Sequence, residues 1–385
     1  MGIKNLKVIL NQKCQPAINN RKLDSYRGMI LGIDISIFLY KYLYNNDDHI
    51  EGLTRLTLRL LKNHITPVFI FDGKPPVEKN ETLQTRRDKR DFLNVKKNLI
   101  ENCINFDKNN FDEFKKNIME YIEKNDNLYN ISDEEIKSLF EKSVEDLEED
   151  SEKLKKKIIY VTQKHIESSK NLFDLFGIPY IHAPCEAESL LAILCKKNII
   201  DGCISEDTDI LANGGFLFLR NFNADKNNIE EYCLEGILNS LELTYDEFID
   251  MCILCGCDYT TKIYGMGSIT AYKIIFKYKN IENFIQNNQK FVIPENFDYI
   301  KARELFKNPI DSTIFNNIII NTKMVKPDIE KLKNFLKNSK LKEKYTKEID
   351  KNLINYFLNI QNMNSMINEE SNNSNKKITD YFSKN

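Results

Sequence analysis

Three short apolar runs in the chain share one ending. Met29–Ile33 (MILGI) runs into Asp34, Pro67–Phe71 (PVFIF) into Asp72, and Ile199–Ser205 (IIDGCIS) towards Asp207 and Asp209. Their length, β-branched and aromatic content, and bounding residues predict short buried strands. Between and after them the apolar period lengthens to that of a helix, at Ile37–Tyr44, at Leu53–His64 and in CEAESLLAILCKK after Pro184. Strand–helix alternation predicts an α/β fold with a mostly parallel sheet flanked by helices on both faces. In such sheets the ligand site lies outside the carboxyl ends of the strands. The aspartate-bearing strand ends are therefore expected on one rim.

A cluster of unpaired carboxylates is costly, because like charges repel and raise one another's pKa. Hard cations with oxygen ligands remove that cost, and Mg²⁺ is the ion such a set favours. Asp207 and Asp209 lie two apart in what reads as an extended segment, so both would project to one side. Glu186 and Glu188 follow Pro184, which suits a first helical turn. On a regular helix the two glutamates would diverge by about 200°. Sharing a site then requires an irregular start or a bridging water, and the other reading is favourable placement at a helix N-terminus. Asp258 lies at a helix end, where an anion is unfavourable without a reason. Seven acids exceed the needs of one ion. Two ions about 4 Å apart would use them and would stabilise both attacking and leaving oxygens of a phosphodiester.

Composition narrows the class. The 385 residues are 42% hydrophobic, enough for one large core or two smaller ones. No apolar run reaches the roughly 18–20 residues of a membrane span, and no signal-peptide pattern follows Met1, so a soluble intracellular chain is expected. Nine cysteines at irregular spacing predict reduced thiols. Cys252, Cys255 and Cys257 sit in the apolar stretch FIDMCILCGCDY without a fourth ligand nearby, which favours buried small hydrophobes over zinc.

A formal charge of -2 argues, taken whole, against a generic basic nucleic-acid binder. The total hides three blocks. Lys74–Asn98 carries eight basic and four acidic residues, including Arg86, Arg87, Lys89 and Arg90. Leu99–Glu152 carries seventeen acidic and six basic, a net of -11, and Lys153–Lys170 has six lysines against Glu167. The acidic block is expected to form two or three amphipathic helices, with a partly disordered insertion as the alternative, and its charge should repel DNA.

The ordered blocks MGIKNL, GIDIS, VFIFDGKPP, GIPYIHAPCEAES, SEDTDIL, CILCGCDYT, YGMGSITAYKII and VIPENF resemble the flap endonuclease family of structure-specific 5′ nucleases. The resemblance covers roughly residues 1–90 and 158–300. It implies a PIN-like 5′-nuclease core with a helical arch and a helix–two-turn–helix module. It also implies metal ligands at Asp34, Asp72, Glu186, Glu188, Asp207, Asp209 and Asp258, holding two Mg²⁺ ions for which Mn²⁺ can substitute. Lys79 and Arg86 would act on the scissile phosphate, with Arg90 also contacting DNA. Tyr40 would stack on the base at the junction, and Gly2 would lie near the substrate after removal of Met1. Gly265 and Gly267 would form the duplex-holding turn, with a K⁺ ion. There the family's Pro-Lys-Arg is replaced by Ser268-Ile269-Thr270, removing two positive charges.

The expected organisation is a nuclease block (1–90), an enlarged arch or cap longer than the family pattern (91–157) and a second nuclease block (158–250). The helix–two-turn–helix module and C-terminal helices follow (251–361), then a tail (362–385). In that tail Asn375, Ile378, Tyr381 and Phe382 match the spacing of a sliding-clamp (PCNA) binding peptide, with Asn in place of the usual Gln. The implied activity is metal-dependent cleavage of 5′ flaps at single-strand/duplex junctions in replication and base-excision repair, with 5′→3′ exonuclease activity. The implied protein is a monomer with no membrane partner, acting in the nucleus, or in a cytoplasmic replication site or the mitochondrion. Alternatives are a relative acting on bubbles or four-way junctions, and a clamp-tethered junction-binding protein without catalysis.

Overall fold

The computed structural model describes residues 2–45, 48–124, 130–222 and 228–337, together with Ile349 and Tyr356. Its strands are β1 (Ile18–Lys22), β2 (Ile30–Asp34), β3 (Thr66–Phe71), β4 (Tyr180–His182), β5 (Gly202–Ile204), β6 (Leu217–Arg220) and β7 (Asn228–Cys233). They form one sheet in the order β1-β7-β6-β5-β2-β3-β4. The five strands from β6 to β4 are parallel, and β7 and β1 add an antiparallel edge. The chain leaves β2 for β3 on one side and later returns to place β5 on the other. That reversal opens a crevice at the carboxyl ends of β2 and β5.

The helices of the first half are α1 (Leu6–Lys13), α2 (Ile35–Tyr44), α3 (His49–Lys62), α4 (Asn80–Cys103), α5 (Phe111–Lys124), α6 (Asp133–Glu141), α7 (Val144–Lys155) and α8 (Gln163–Phe176). The second half adds α9 (Ala187–Lys196), α10 (Asp209–Ala212), α11 (Leu234–Leu241), α12 (Tyr245–Cys255), α13 (Ser268–Tyr278), α14 (Ile281–Asn287), α15 (Tyr299–Lys307), α16 (Ser312–Asn316) and α17 (Ile329–Leu336). Among the described residues no helix is long and apolar enough to cross a membrane.

Period-2 alternation sends successive strand side chains to opposite faces. Val68, Ile70, Cys203 and Phe218 face a core closed by α1, α9 and α12, where Cys252, Cys255 and Cys257 are also buried. Leu31, Ile33, Phe69 and Phe71 face the other core, under α2, α3 and α8. There Phe69 stacks on Phe173 with ring centroids 4.0 Å apart. At Gly32 a Cβ would lie 2.4 Å from Leu191 and 2.6 Å from Ile200, so a side chain on β2 would push α9 off the sheet. All nine cysteines are free.

Two strand expectations change in detail. The third run shortens to β5, because Ile199 and Ile200 donate their N–H groups to Leu194 O and finish α9. The edge pair β1–β7 was not expected, since INNRK and NIEEYC carry little apolar patterning.

Over its described residues the acidic block consists of the end of α4 and helices α5–α7 joined by short turns and loops. Leu99, Ile100 and Cys103 of α4 pack with Phe114, Ile118, Ile136, Leu139 and Leu147 from α5–α7 in a third core. Ser143 and Asp146 close a capping box at the start of α7. Because this core is separate, Phe114→Ala should cost about 3–5 kcal/mol. The loss is expected within the cap: hydrogen exchange should accelerate in α5–α7 and stay slow in β2 and β3.

Candidate metal centre

The carboxylates gather where the sheet crevice predicts. Asp34 ends β2 and caps α2, its Oδ1 accepting the Ser36 N–H at 3.0 Å. Its Oδ2 accepts from Ser205 Oγ at 3.1 Å, which ties β2 to the end of β5. Asp72, just past β3, accepts from Ser36 Oγ at 2.5 Å and from the Ala187 N–H at 2.8 Å, pinning the start of α9. Glu188, Asp207 and Asp209 each offer an oxygen within 4.8 Å of the others.

Local backbone, not regular periodicity, achieves this. Glu186 is the N-cap of α9, extended at φ -75°, ψ 145°, and Pro184 lies outside the helix. That irregular start lets Glu186 and Glu188 both reach Lys79 Nζ, the latter at 3.8 Å. Asp207 and Asp209 do not lie in an extended segment: Thr208 between them is helical (φ -73°, ψ -9°), and Asp209 opens α10. Their carboxylates meet through a turn in which the Asp209 N–H donates to Asp207 Oδ1 at 3.0 Å. Asp258 lies beyond the α12 C-cap at Gly256, in a turn and not on the helix.

Cations from the turn before α4 and from α4 itself complete the picture. Lys79, in the short turn Val77–Lys79 before α4, is buried among the acids, paired with Glu186 and 3.5 Å from Asp258. Arg86 Nη2 lies 2.8 Å from Asp258 Oδ2. Arg90 instead lies over the Tyr160 ring, at 5.2 Å, in the segment between α7 and α8. Tyr40 is 40% exposed on α2, one turn beyond Ser36, and so stands at the rim and not in the core. Gly2 has φ +81°, and a Cβ there would lie 2.0 Å from Asp207 Oδ1, so the N-terminus reaches the cluster only as glycine.

Electrostatics match an incomplete set of counter-charges. Burial, then Asp72 and Asp207, push the Asp34 carboxyl up to about 8. Burial first and neighbouring acids second also raise Glu188 and Asp209, and burial raises Asp207. Burial disfavours the Lys79 ammonium, but Glu186, Glu188 and Asp258 more than offset this and hold it charged. Both oxygens of Asp209 are buried without a hydrogen-bond partner. Buried unpartnered carboxylate oxygens are costly unless a cation meets them.

The motifs concealed three supporting groups. Ser36 in GIDIS and Ser205 in SEDTD orient Asp34 and Asp72, and Tyr259 in CDYT donates to Glu186 Oε2 at 2.9 Å. All three lie inside the blocks already singled out, so a search for hydroxyls within two residues of each acid would have found them. Away from the cluster, Gly265 takes φ +74° and Gly267 caps α13, with no atom within 4 Å of a Cβ built there. Asn375, Ile378, Tyr381 and Phe382 lie outside the described residues.

Known proteins share this fold. The XPG N-terminal domain matches residues 1–93 and the XPG I-region residues 177–258, leaving the acidic cap between them. Flap endonuclease 1 of Glycine max is 33% identical over 373 residues, covering 91% of this chain and 86% of its own. The catalytic core of Rad2 in complex with DNA substrate superposes with a TM-score of 0.62 at 23% identity, over 92% of this chain and 100% of that one. Flap endonuclease-1 from Methanococcus jannaschii superposes with a TM-score of 0.59 at 23% identity, over 89% and 96%.

Proposed function

The chain belongs to the flap endonuclease family of structure-specific 5′ nucleases, and from that premise we propose that it hydrolyses 5′ flaps at single-strand/duplex junctions with Mg²⁺ as its cofactor. What supports this most is the pairing of two opposed features. Seven carboxylates share one crevice, and Lys79 and Arg86 descend on them from the arch.

The residues fit divalent ions. Asp209 offers two buried oxygens with no other partner, and Lys79 already stands among the acids as a positive charge. Glu188, Asp207 and Asp209, with Asp34, Asp72, Glu186 and Asp258 around them, would hold the ions. When bound, these supply Lewis acidity at the phosphodiester. The chain's own part is positioning: Ser36, Ser205 and Tyr259 fix the carboxylates, Lys79 and Arg86 meet charge developing on the phosphate, and Tyr40 offers a ring to the junction base. The bare α13 N-terminus at Gly267 suits a duplex phosphate, with K⁺ in that turn.

Proton linkage gives a signed expectation. The raised carboxylates bind more protons folded than unfolded between about pH 4 and the folded value near 8 of Asp34. Metal-free stability from these groups is therefore present at low pH and falls as pH rises through that window. Mg²⁺ must displace those protons, so its increment in Tm should be larger at pH 8 than at pH 6. Equal increments would contradict the cluster as the binding site.

We further propose roles in replication and base-excision repair, action as a nuclear monomer, and recruitment by a sliding clamp through Ile378, Tyr381 and Phe382. Replacing Tyr381 and Phe382 by Ala should remove clamp stimulation of cleavage; unchanged clamp binding would contradict this. The substrate assignment is tested with labelled double-flap, bubble and four-way-junction DNA. Preference for the double flap supports it, and preference for a four-way junction overturns it.

A further inference from the structure

Of the seven acids in the crevice, Asp209 is the one whose carboxylate meets no hydrogen-bond donor or ion-pair partner among the described residues. The other six have Ser36, Ser205, Tyr259, Lys79 or a backbone N–H. One turn further along, Asn213 presents the same anomaly. It is fully buried, and neither its amide oxygen nor its amide nitrogen has a partner among the described residues. Its backbone N–H donates to Asp209 O at 2.8 Å, so the two residues stand i and i+4 on a helical turn and their side chains share one face. Helical side chains lean towards the N-terminus, which aims the amide back at the carboxylate.

Local conformation does not explain an asparagine here. Asn is favoured after a helix because it tolerates the left-handed region, but Asn213 has φ -74°, and Gly214 takes the left-handed step at φ +85°. Ile210, Leu211 and Ala212 before it are buried and apolar, so burial alone calls for hydrocarbon. An unpaired amide costs stability there that an apolar side chain of similar shape would not. The position is also rigid. Tyr245 Oη donates to Ala212 O at 2.7 Å, and a Cβ at Gly214 would lie 2.1 Å from Lys196 Cε.

We propose that Asn213 is a positioning residue for the metal centre: through one buried water its amide holds the Asp209 carboxylate in the orientation that binds a divalent ion. This rests on the metal-dependent function of the preceding section and extends it to a residue outside the acid set. A carboxylate that gives lone pairs to an ion must be kept from turning, and the groups behind a metal ligand set its affinity by about ten- to a hundredfold. The two side chains make no direct hydrogen bond. Neighbours at i and i+4 have Cβ atoms about 5–6 Å apart, a span that one water bridges. A buried water needs roughly two to four polar contacts, and the unpartnered carboxylate oxygens of Asp209 and amide atoms of Asn213 supply them.

The experiment titrates the full chain with Mn²⁺ in the absence of DNA, reading the free aqueous ion by electron paramagnetic resonance. Cleavage rate against Mg²⁺ concentration is followed separately. Asn213→Leu, which keeps a similar shape and removes the amide, should raise the metal concentration for half-saturation about tenfold in both readouts. Its rate at saturating Mg²⁺ should stay close to that of the unaltered chain. Asn213→Ser, which keeps a hydroxyl for the water, should restore most of the affinity. In an Asp209→Ala background, Asn213→Leu should weaken Mn²⁺ binding no further, because the amide acts through that carboxylate. Unchanged half-saturation in Asn213→Leu overturns the proposal, as does the same tenfold loss in the Asp209→Ala background. A lower metal-free Tm with unchanged metal dependence would make Asn213 a packing residue and also overturn it. If the unaltered chain binds no Mn²⁺, the metal centre falls and this proposal with it. If it binds Mn²⁺ but cuts no flap, only the activity is overturned, and Asn213 is judged on binding alone.

Discussion

Asp209→Ala is expected to reduce cleavage about a thousandfold or more while leaving the metal-free protein at least as stable as before. Asp209 is fully buried, both its oxygens lack partners, and burial with Asp207 beside it raises its pKa. Among the described residues no hydrogen bond meets this charge, and burial with the neighbouring acids outweighs the attraction of Lys79, so the metal-free fold bears it as a cost. Asp209→Asn keeps the shape and removes the repulsion, so its metal-free Tm should rise, by about 2–4 °C for each kcal/mol relieved. The Tm increment from Mg²⁺ should shrink in the same variant. A residue kept for structure would show the reverse, with lost stability and retained cleavage. Circular dichroism melts with and without Mg²⁺, beside single-turnover cleavage, separate the two.

Lys79→Ala is expected to move stability the other way. Its ammonium lies among Glu186, Glu188 and Asp258 and is almost wholly buried. Removing one partner of a buried charge set strands the rest, at about 3–5 kcal/mol. Divalent cations should restore most of that loss, because they replace the missing positive charge among the same acids. Cleavage should stay roughly a hundredfold to a thousandfold down even at saturating Mg²⁺, since the cation that meets charge on the phosphate is gone. Urea melts of the variant at rising Mg²⁺, read against cleavage rate, test this. Full recovery of rate with stability would reduce Lys79 to a structural counter-ion.

Opposite signs at Asp209 and Lys79 follow from one fact: the acids outnumber their protein partners. The acids themselves were legible in sequence, because a buried strand that stops at an aspartate announces both the end of the sheet and the charge placed there. How neighbouring acids converge was less legible. Asp207 and Asp209 meet because Thr208 turns helical, and Glu186 and Glu188 because Glu186 stays extended as an N-cap. Each is a single backbone choice, invisible to periodicity. The burial of Lys79 was hidden for a similar reason, as a lysine in a basic run reads as solvated until a neighbouring element folds over it. The cap showed its amphipathic helices in its composition, but not that Phe114 and Leu147 close a core of their own. The net charge of -2 is a sum over an acidic cap, a carboxylate crevice and the basic arch between them.

The central claim is that the acid cluster under the arch cuts DNA at a junction only when divalent ions fill it. It is tested most directly by incubating a double-flap substrate, labelled at the 5′ end of the flap, with the unaltered chain and with Asp209→Ala, in Mg²⁺ and in EDTA. The expected result is one product, cut at the junction and ending in a 3′-hydroxyl, formed by the unaltered chain in Mg²⁺ alone. Cleavage that persists in EDTA, or in Asp209→Ala at an undiminished rate, would contradict it.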